Sequence, residues 1–278
     1  MSRARRGDLA LCGAALGFGG TFVVVQDAVE KVDPIPFLAI RFTIGAAVLW
    51  ALAVRRPATP GLYRDGGLVG LTLLAGYVCQ TVGLQYTDAA TSAFITYLLV
   101  VFVPFLGFVA YGRRPHPVSL GAIGLAVAGL VLLTGGGSGG FGKGEWLTVG
   151  CALAFGGQVV LLGETAHRHD PLRLAAVQVS VVAIACVGPG AFLGGYRFPA
   201  SALLAAAGCA VVATAGAFGL QVLGQSTVPP VRASLLLLLE PVFATILAEV
   251  TGESHTAWQF AGAGVILAAT VVSEVTAR

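Results

Sequence analysis

Residues 13–20 read Gly13-Ala14-Ala15-Leu16-Gly17-Phe18-Gly19-Gly20, and residues 150–157 read Gly150-Cys151-Ala152-Leu153-Ala154-Phe155-Gly156-Gly157. Six of the eight positions agree at an offset of 137. The same offset carries Pro34 onto Pro171 and Ala39 onto Ala176. Further along it drifts to 140, carrying Gln85 onto Gln225, Thr87 onto Thr227, Ala93 onto Ala233 and Gly112 onto Gly252. The matches keep their order along both halves, which reads as an internal repeat with units 1–137 and 138–278.

Both copies are apolar. The 278 residues are 56% hydrophobic and 10% charged, with a mean hydropathy of +0.88. A soluble domain carries roughly 25% charge, and one core of this size could not bury so much apolar surface. The composition therefore calls for lipid as the main solvent and excludes a soluble enzyme or a nucleic-acid binder. A spanning helix needs about 20 apolar residues. Hydropathy places ten spans near 8–29, 34–54, 66–86, 90–111, 117–134, 145–166, 172–195, 199–223, 231–251 and 256–275, with prolines at the boundaries. The first span follows Arg3, Arg5 and Arg6 but leads into Gln26 and Asp27, not a small-residue cleavage site, so it reads as a retained helix. The expected fold is an all-α membrane protein of ten transmembrane helices.

Positive charge sets the expected orientation. With the N-terminus inside, Arg3, Arg5, Arg6, Arg55, Arg56, Arg64, Arg113, Arg114, Arg168, Arg173, Arg232 and Arg278 fall inside, and only Lys31, Lys143 and Arg197 fall outside. Both termini are then expected in the cytoplasm, in a plasma-membrane protein. Each repeat holds five spans, an odd number, so the second copy enters the membrane from the opposite side. Inverted five-helix repeats are a common architecture of secondary transporters, with a substrate site near the midplane.

Several side chains within the spans carry possible chemistry. Tyr77, Gln80, Thr81, Ser92, Thr96 and Tyr97 supply the polar content of the third and fourth spans, and Gln221 and Ser234 that of the eighth and ninth. Together they suit a cavity for a small amphipathic solute; interhelical hydrogen bonding is the competing use. Arg41 is an intramembrane charge, a candidate for gating or for pairing with Asp27, Glu30 or Asp33. Glu240 precedes Pro241 mid-span, where proline frees the Leu237 carbonyl and tends to kink the helix. That carboxylate could bind an ammonium group, carry a proton, act in gating, or pair with Arg232. Glu164 and Glu249, at span ends, read as solvated. Gly13 with Gly17, Gly66 with Gly70, and Gly124 with Ala128 read as small-residue packing faces.

Other motifs fall away. Gly137-Ser138-Gly139-Gly140-Phe141-Gly142-Lys143-Gly144 nearly spells a phosphate loop, but lacks the final Ser or Thr and a preceding strand. Gly136-Gly137-Ser138-Gly139 echoes an intramembrane protease serine, yet His116, His167, His169 and His255 all sit in loops or at span ends. The five cysteines form no CxxC or Cys/His cluster, so no metal is expected. No cofactor is called for. Without a nucleotide site a transporter would draw on an ion gradient, with protons as one option; a channel, a scaffold or an intramembrane enzyme are the alternatives.

The chain also resembles a known family. Gly17-Phe18-Gly19-Gly20-Thr21-Phe22, Arg41-Phe42, Gly83-Leu84-Gln85-Tyr86-Thr87 followed by Ala89-Ala90, and Val101-Phe102-Val103-Pro104 carry the likeness in the first half. Gly112-Arg113-Arg114-Pro115, Glu240-Pro241-Val242-Phe243-Ala244 and Gly252-Glu253 continue it. These resemble the drug/metabolite transporter superfamily, specifically its ten-helix EamA-type exporters. The resemblance implies export of a small metabolite such as an amino acid or related compound. One departure is Val100, where relatives carry a proline in the fourth span, which argues against symmetric helix breaks. The first span also lacks the central acidic residue that the small four-helix relatives use for proton exchange.

Overall fold

A computed structural model describes residues 3–29, 31–87, 89–135, 142–193, 195–250 and 256–275. All regular structure among these residues is helical. Ten rods cross the molecule: Arg3–Val29, Pro34–Ala53, Leu62–Gly83, a broken fourth (Ala89–Tyr97 and Leu99–Tyr111), Pro117–Thr134, Lys143–Thr165, Pro171–Phe192, a composite eighth from Ala200 to Gln225, a broken ninth (Pro230–Leu237 and Glu240–Val250), and Ala257–Val275. Eight of them, the second to the ninth, are long and apolar enough to cross a membrane; Ala257–Val272 is a shorter apolar stretch of the tenth.

The ends follow from local chemistry. Proline opens the second, fifth, seventh and ninth rods, where its missing N–H and fixed φ cost nothing. Asp170 caps the seventh by accepting from the Leu172 and Arg173 amides at 3.1 and 3.2 Å. Gly112 and Gly135 close the fourth and fifth in the left-handed region, φ 67° and 76°, where a side chain would be strained. Large apolar side chains point outward, Phe192 at 90% and Ile184 at 76% exposure, as lipid contact requires.

The packing maps onto itself when the halves are exchanged. The second rod packs on the seventh and the fifth on the tenth; the third packs on the sixth as the first does on the eighth. Even the close backbone approaches are mirrored. A Cβ at Gly224 would lie 2.9 Å from the Gly7 carbonyl, and one at Gly83 would lie 3.3 Å from the carbonyl of Gly144, the repeat mate of Gly7. Ten transmembrane helices in two inverted five-helix repeats make up the fold.

Two features differ from the sequence reading, and the packing itself crosses between the repeats. The first rod groups with the eighth and ninth, and the sixth with the third and fourth, giving two mixed bundles with the second–seventh and fifth–tenth pairs beside them. Both broken rods break at matching depth, at Leu98 and at Leu238–Leu239, although Val100 replaces a proline. At Leu98 the ladder tightens to Leu98 N–H to Ile95 O at 3.2 Å and Val101 N–H to Leu98 O at 2.9 Å, so proline at 100 is not needed for the turn. Finally, Gly124 has nothing within 4 Å and Ala128 is exposed, so that face meets lipid. The fifth and tenth rods cross instead at Gly129 and Gly262, where a Cβ at Gly129 would lie 2.9 Å from the Gly262 carbonyl. Gly66 and Gly70 do pack, on Val177 and Val181.

The eighth rod passes through a π-helical stretch, Ala210–Ala217. It lies between the positions where the repeat offset is 137 and those where it is 140.

Candidate functional site

A cavity of about 100 Å³ lies between the two bundles. Its wall is built from repeat mates. Phe18 and Phe155 match at the offset of 137; in the wall Tyr77 and Phe218, Gln80 and Gln221, Ala93 and Ser234, Thr96 and Leu237, Tyr97 and Leu238, and Leu99 and Glu240 match at 141, one residue beyond the offset that aligns Ala93 with Ala233 in sequence. The cavity therefore straddles the pseudo-twofold axis. Its backbone is symmetric and its chemistry is not.

The aromatic wall is tightly knit. Phe18 and Phe218 meet edge to face with centroids 5.0 Å apart. Tyr77 meets Phe42 at 4.8 Å and Phe155 at 5.3 Å. Phe155 and Phe18 sit in the glycine-rich repeat motif, and the glycines beside them let the rods approach the breaks. A Cβ at Gly19 would lie 2.5 Å from the Glu240 carbonyl. One at Gly156 would lie 3.7 Å from the carbonyl of Leu99, the mate of Glu240.

Glu240 opens the second piece of the ninth rod, so its carboxylate stands at a helix N-terminus, where negative charge is favoured. The Tyr97 hydroxyl is within hydrogen-bonding reach of it. Pro241 has no N–H to give the Leu237 carbonyl, and Leu237 lines the cavity. Arg232 does not pair with Glu240; it binds Asp8 at 2.8 Å. Arg41 stands behind the wall, 3% exposed. Its Nε donates to Thr214 in the π stretch at 2.9 Å, an Nη donates to Tyr77 at 3.4 Å, and its guanidinium lies 5.3 Å from the Tyr77 ring centroid. Of its expected partners, Asp27 and Glu30 lie outside the described side chains, and Asp33 is exposed.

Seven of the nine polar positions anticipated for a cavity line it: Tyr77, Gln80, Thr96, Tyr97, Gln221, Ser234 and Glu240. Thr81 and Ser92 do not. Thr81 turns its hydroxyl back onto the Tyr77 carbonyl, and Ser92 is buried in the packing at 2% exposure. Gln158 was not anticipated, because the repeat places it opposite the unremarkable Thr21. It starts a buried amide chain: Gln158 Nε2 donates to Gln178 at 3.2 Å, and Gln221 Nε2 donates to Gln158 at 3.1 Å and to Gln225 at 3.2 Å. Gln225 Nε2 then donates to the Val159 carbonyl at 2.8 Å. The Gln221–Gln158 and Gln225–Val159 bonds join the two bundles.

These bonds lie toward the face that gathers the arginine-rich loops. There Arg113 binds Glu164 at 2.8 Å, which corrects the expectation that Glu164 is solvated. His169 Nε2 stands 3.0 Å from Asp65, and its Nδ1 2.5 Å from Thr59. On this side of the cavity the second piece of the fourth rod packs on the first piece of the ninth, and the sixth on the ninth and eighth. Leu11, Val103, Val159, Val228 and Leu236 fill that contact. The mirror contacts on the other side, of Glu240–Val250 with Ala89–Tyr97 and of the first rod with the third and fourth, have no comparable packing among the described residues. Gln85, the mate of Gln225, is exposed there.

The EamA-like transporter family matches residues 5–135 and again 142–274. The chain belongs to this family. An uncharacterized transporter of Archaeoglobus fulgidus is 32% identical over 95% of this chain and 84% of its own length. A second from the same organism is 28% identical over 97% and 96%. A solved crystal structure aligns with a TM-score of 0.83 at 21% identity, covering 98% of this chain and 97% of that one, and shares the fold. This EamA-like protein is thus a multi-pass membrane transporter of small molecules.

Proposed function

We propose that this chain is a secondary transporter that moves a small metabolite by alternating access, with export as its direction. One observation carries the reading: a cavity on the pseudo-twofold axis, closed by packing on one face and, among the described residues, without comparable packing on the other. Exchanging the two sets of contacts would present the same cavity to the opposite side. The mixed bundles, first–eighth–ninth and third–fourth–sixth, are the bodies that rock. The repeat units 1–137 and 138–278 supply both, joined through the glycine-rich segment between them. The arginine-rich face is cytoplasmic by the charge rule, with both termini there and the protein in the plasma membrane. The described state is then open outward. Tyr77, Gln80, Thr96, Tyr97, Gln221, Ser234 and Glu240 contact the solute, Arg41 holds Tyr77 in place, and Pro241 keeps the ninth helix broken. Proton coupling runs through Glu240, the one carboxylate that lines the cavity among the described residues. Reconstitution into liposomes, with uptake measured across a panel of small metabolites at imposed proton gradients, tests this. Saturable flux that stops when a disulfide bridges the fourth and ninth helices on the arginine-rich face is expected. No solute moving faster than in empty liposomes would refute it.

A further inference from the structure

The charge and hydrogen-bonding balance of the cavity says more about the solute. Among the described residues Glu240 is the one charged side chain in the lining. Among the described residues no cation stands within ion-pair distance of it. Arg41 is not in the lining, and its guanidinium is held by Thr214 and Tyr77.

The donors of the neighbouring Gln221 amide are already committed. Gln221 is 3% exposed, and its Nε2 serves both Gln158 and Gln225. That amide leaves no N–H over for a carboxylate beside Glu240. The opposite wall offers the faces and edges of Phe18, Tyr77, Phe155 and Phe218, which attract a cation through the ring quadrupole and accept a short apolar tail.

We infer that the cavity of this transporter selects a small organic cation, a protonated aliphatic amine, over a zwitterion or an anion. The inference rests on the transport reading for the cavity's role and adds the solute class. An ammonium group pairs with the Glu240 carboxylate and neutralises it. A carboxylate placed there would meet Glu240 as a like charge. The cavity volume of about 100 Å³, below the roughly 300 Å³ at which drug-sized sites begin, favours a small solute.

Binding to the protein in lipid nanodiscs, measured by isothermal titration, tests the class with one branched alkyl tail in three charge states: isobutylamine, valine and 3-methylbutanoate. Isobutylamine is expected to bind at least about tenfold more tightly than valine, with 3-methylbutanoate weaker still. Glu240→Gln is expected to weaken isobutylamine about tenfold or more while changing valine less than about threefold, and Glu240→Asp to restore the preference for the amine. A preference for valine or 3-methylbutanoate, or an amine affinity unchanged by Glu240→Gln, overturns the inference. So does absence of binding by all three, repeated with ethylamine, alanine and propanoate. Saturable flux of another solute in the liposome panel would in that case still uphold transport itself.

Discussion

Removing the side-chain bonds that tie the two bundles together should open the arginine-rich face. Gln158→Leu with Gln225→Leu deletes both of them: Gln221 to Gln158, at 3.1 Å, and Gln225 to the Val159 carbonyl, at 2.8 Å. Leucine keeps nearly the volume of glutamine, so packing at Val159 and Val228 is conserved. Interhelical hydrogen bonds in membranes average about 0.6 kcal/mol. Two of them amount to about 1.2 kcal/mol, or about a sevenfold fall in the ratio of closed to open molecules at that face. This is a lower bound, because the Gln221 amide loses both acceptors and stays buried only while the face is closed. Nitroxide labels at Tyr111 and Leu223, both exposed and one on each bundle, report the separation by pulsed EPR in a background free of the five native cysteines. The long-distance fraction should rise by that factor relative to the unsubstituted protein. A ratio unchanged within about twofold, or a shift toward shorter distances, would refute the reasoning, because hydrophobic contact alone would then be holding the face shut.

Three further outcomes follow from the packing. Gly19→Ala places a methyl 2.5 Å from the Glu240 carbonyl, and overpacking against backbone costs about 1–3 kcal/mol; its melting temperature in detergent should fall clearly below that of Gly208→Ala, whose site has nothing within 4 Å. Thr214→Val removes the acceptor of the Arg41 Nε and should destabilise by about 1.5–3 kcal/mol, the range for bonds to charged groups, whereas Thr214→Ser should be nearly neutral in the same melt. Arg232→Ala removes an ion pair whose side chains are 14–15% exposed, and should lower the melting temperature more than Arg113→Ala, whose partner Glu164 is buried but whose own side chain is 59% exposed and screened.

The ten rods and their inverted pairing were legible because two simple signals carry them, apolar length and an in-order repeat. The span edges agree within a few residues: Pro34, Pro117, Pro171 and Pro230 open helices where the boundary prolines were noted. The polar wall was legible in part. Tyr77 and Gln80 lie one turn apart and both reach the cavity, but Thr81, next in sequence, spends its hydroxyl on its own helix. Hydropathy cannot distinguish those outcomes, since both satisfy a hydroxyl. Gln158 and Gln178 were hidden because each matters through the other, at 3.2 Å across two helices. The bundle exchange was invisible for the same reason: a repeat tells which segments are alike, not which ones touch. Noticing that Phe18 maps onto Phe155 within the opening motif would have found two walls of the cavity at once.

A protein with two identical halves in this arrangement would have no reason to prefer one face over the other, because each set of contacts would be a copy of its mirror. Any preference must reside where mates differ. Thr21 bonds back to its own helix at Gly17 and Phe18, while its mate Gln158 reaches across to the other bundle. Leu99 is inert where Glu240 is ionisable, and Arg41 is charged where Gln178 is not. Under the proposed alternation, the resting direction is written in a handful of mismatched pairs laid over a reversible frame, and exchanging members between mates should turn it around without changing the frame.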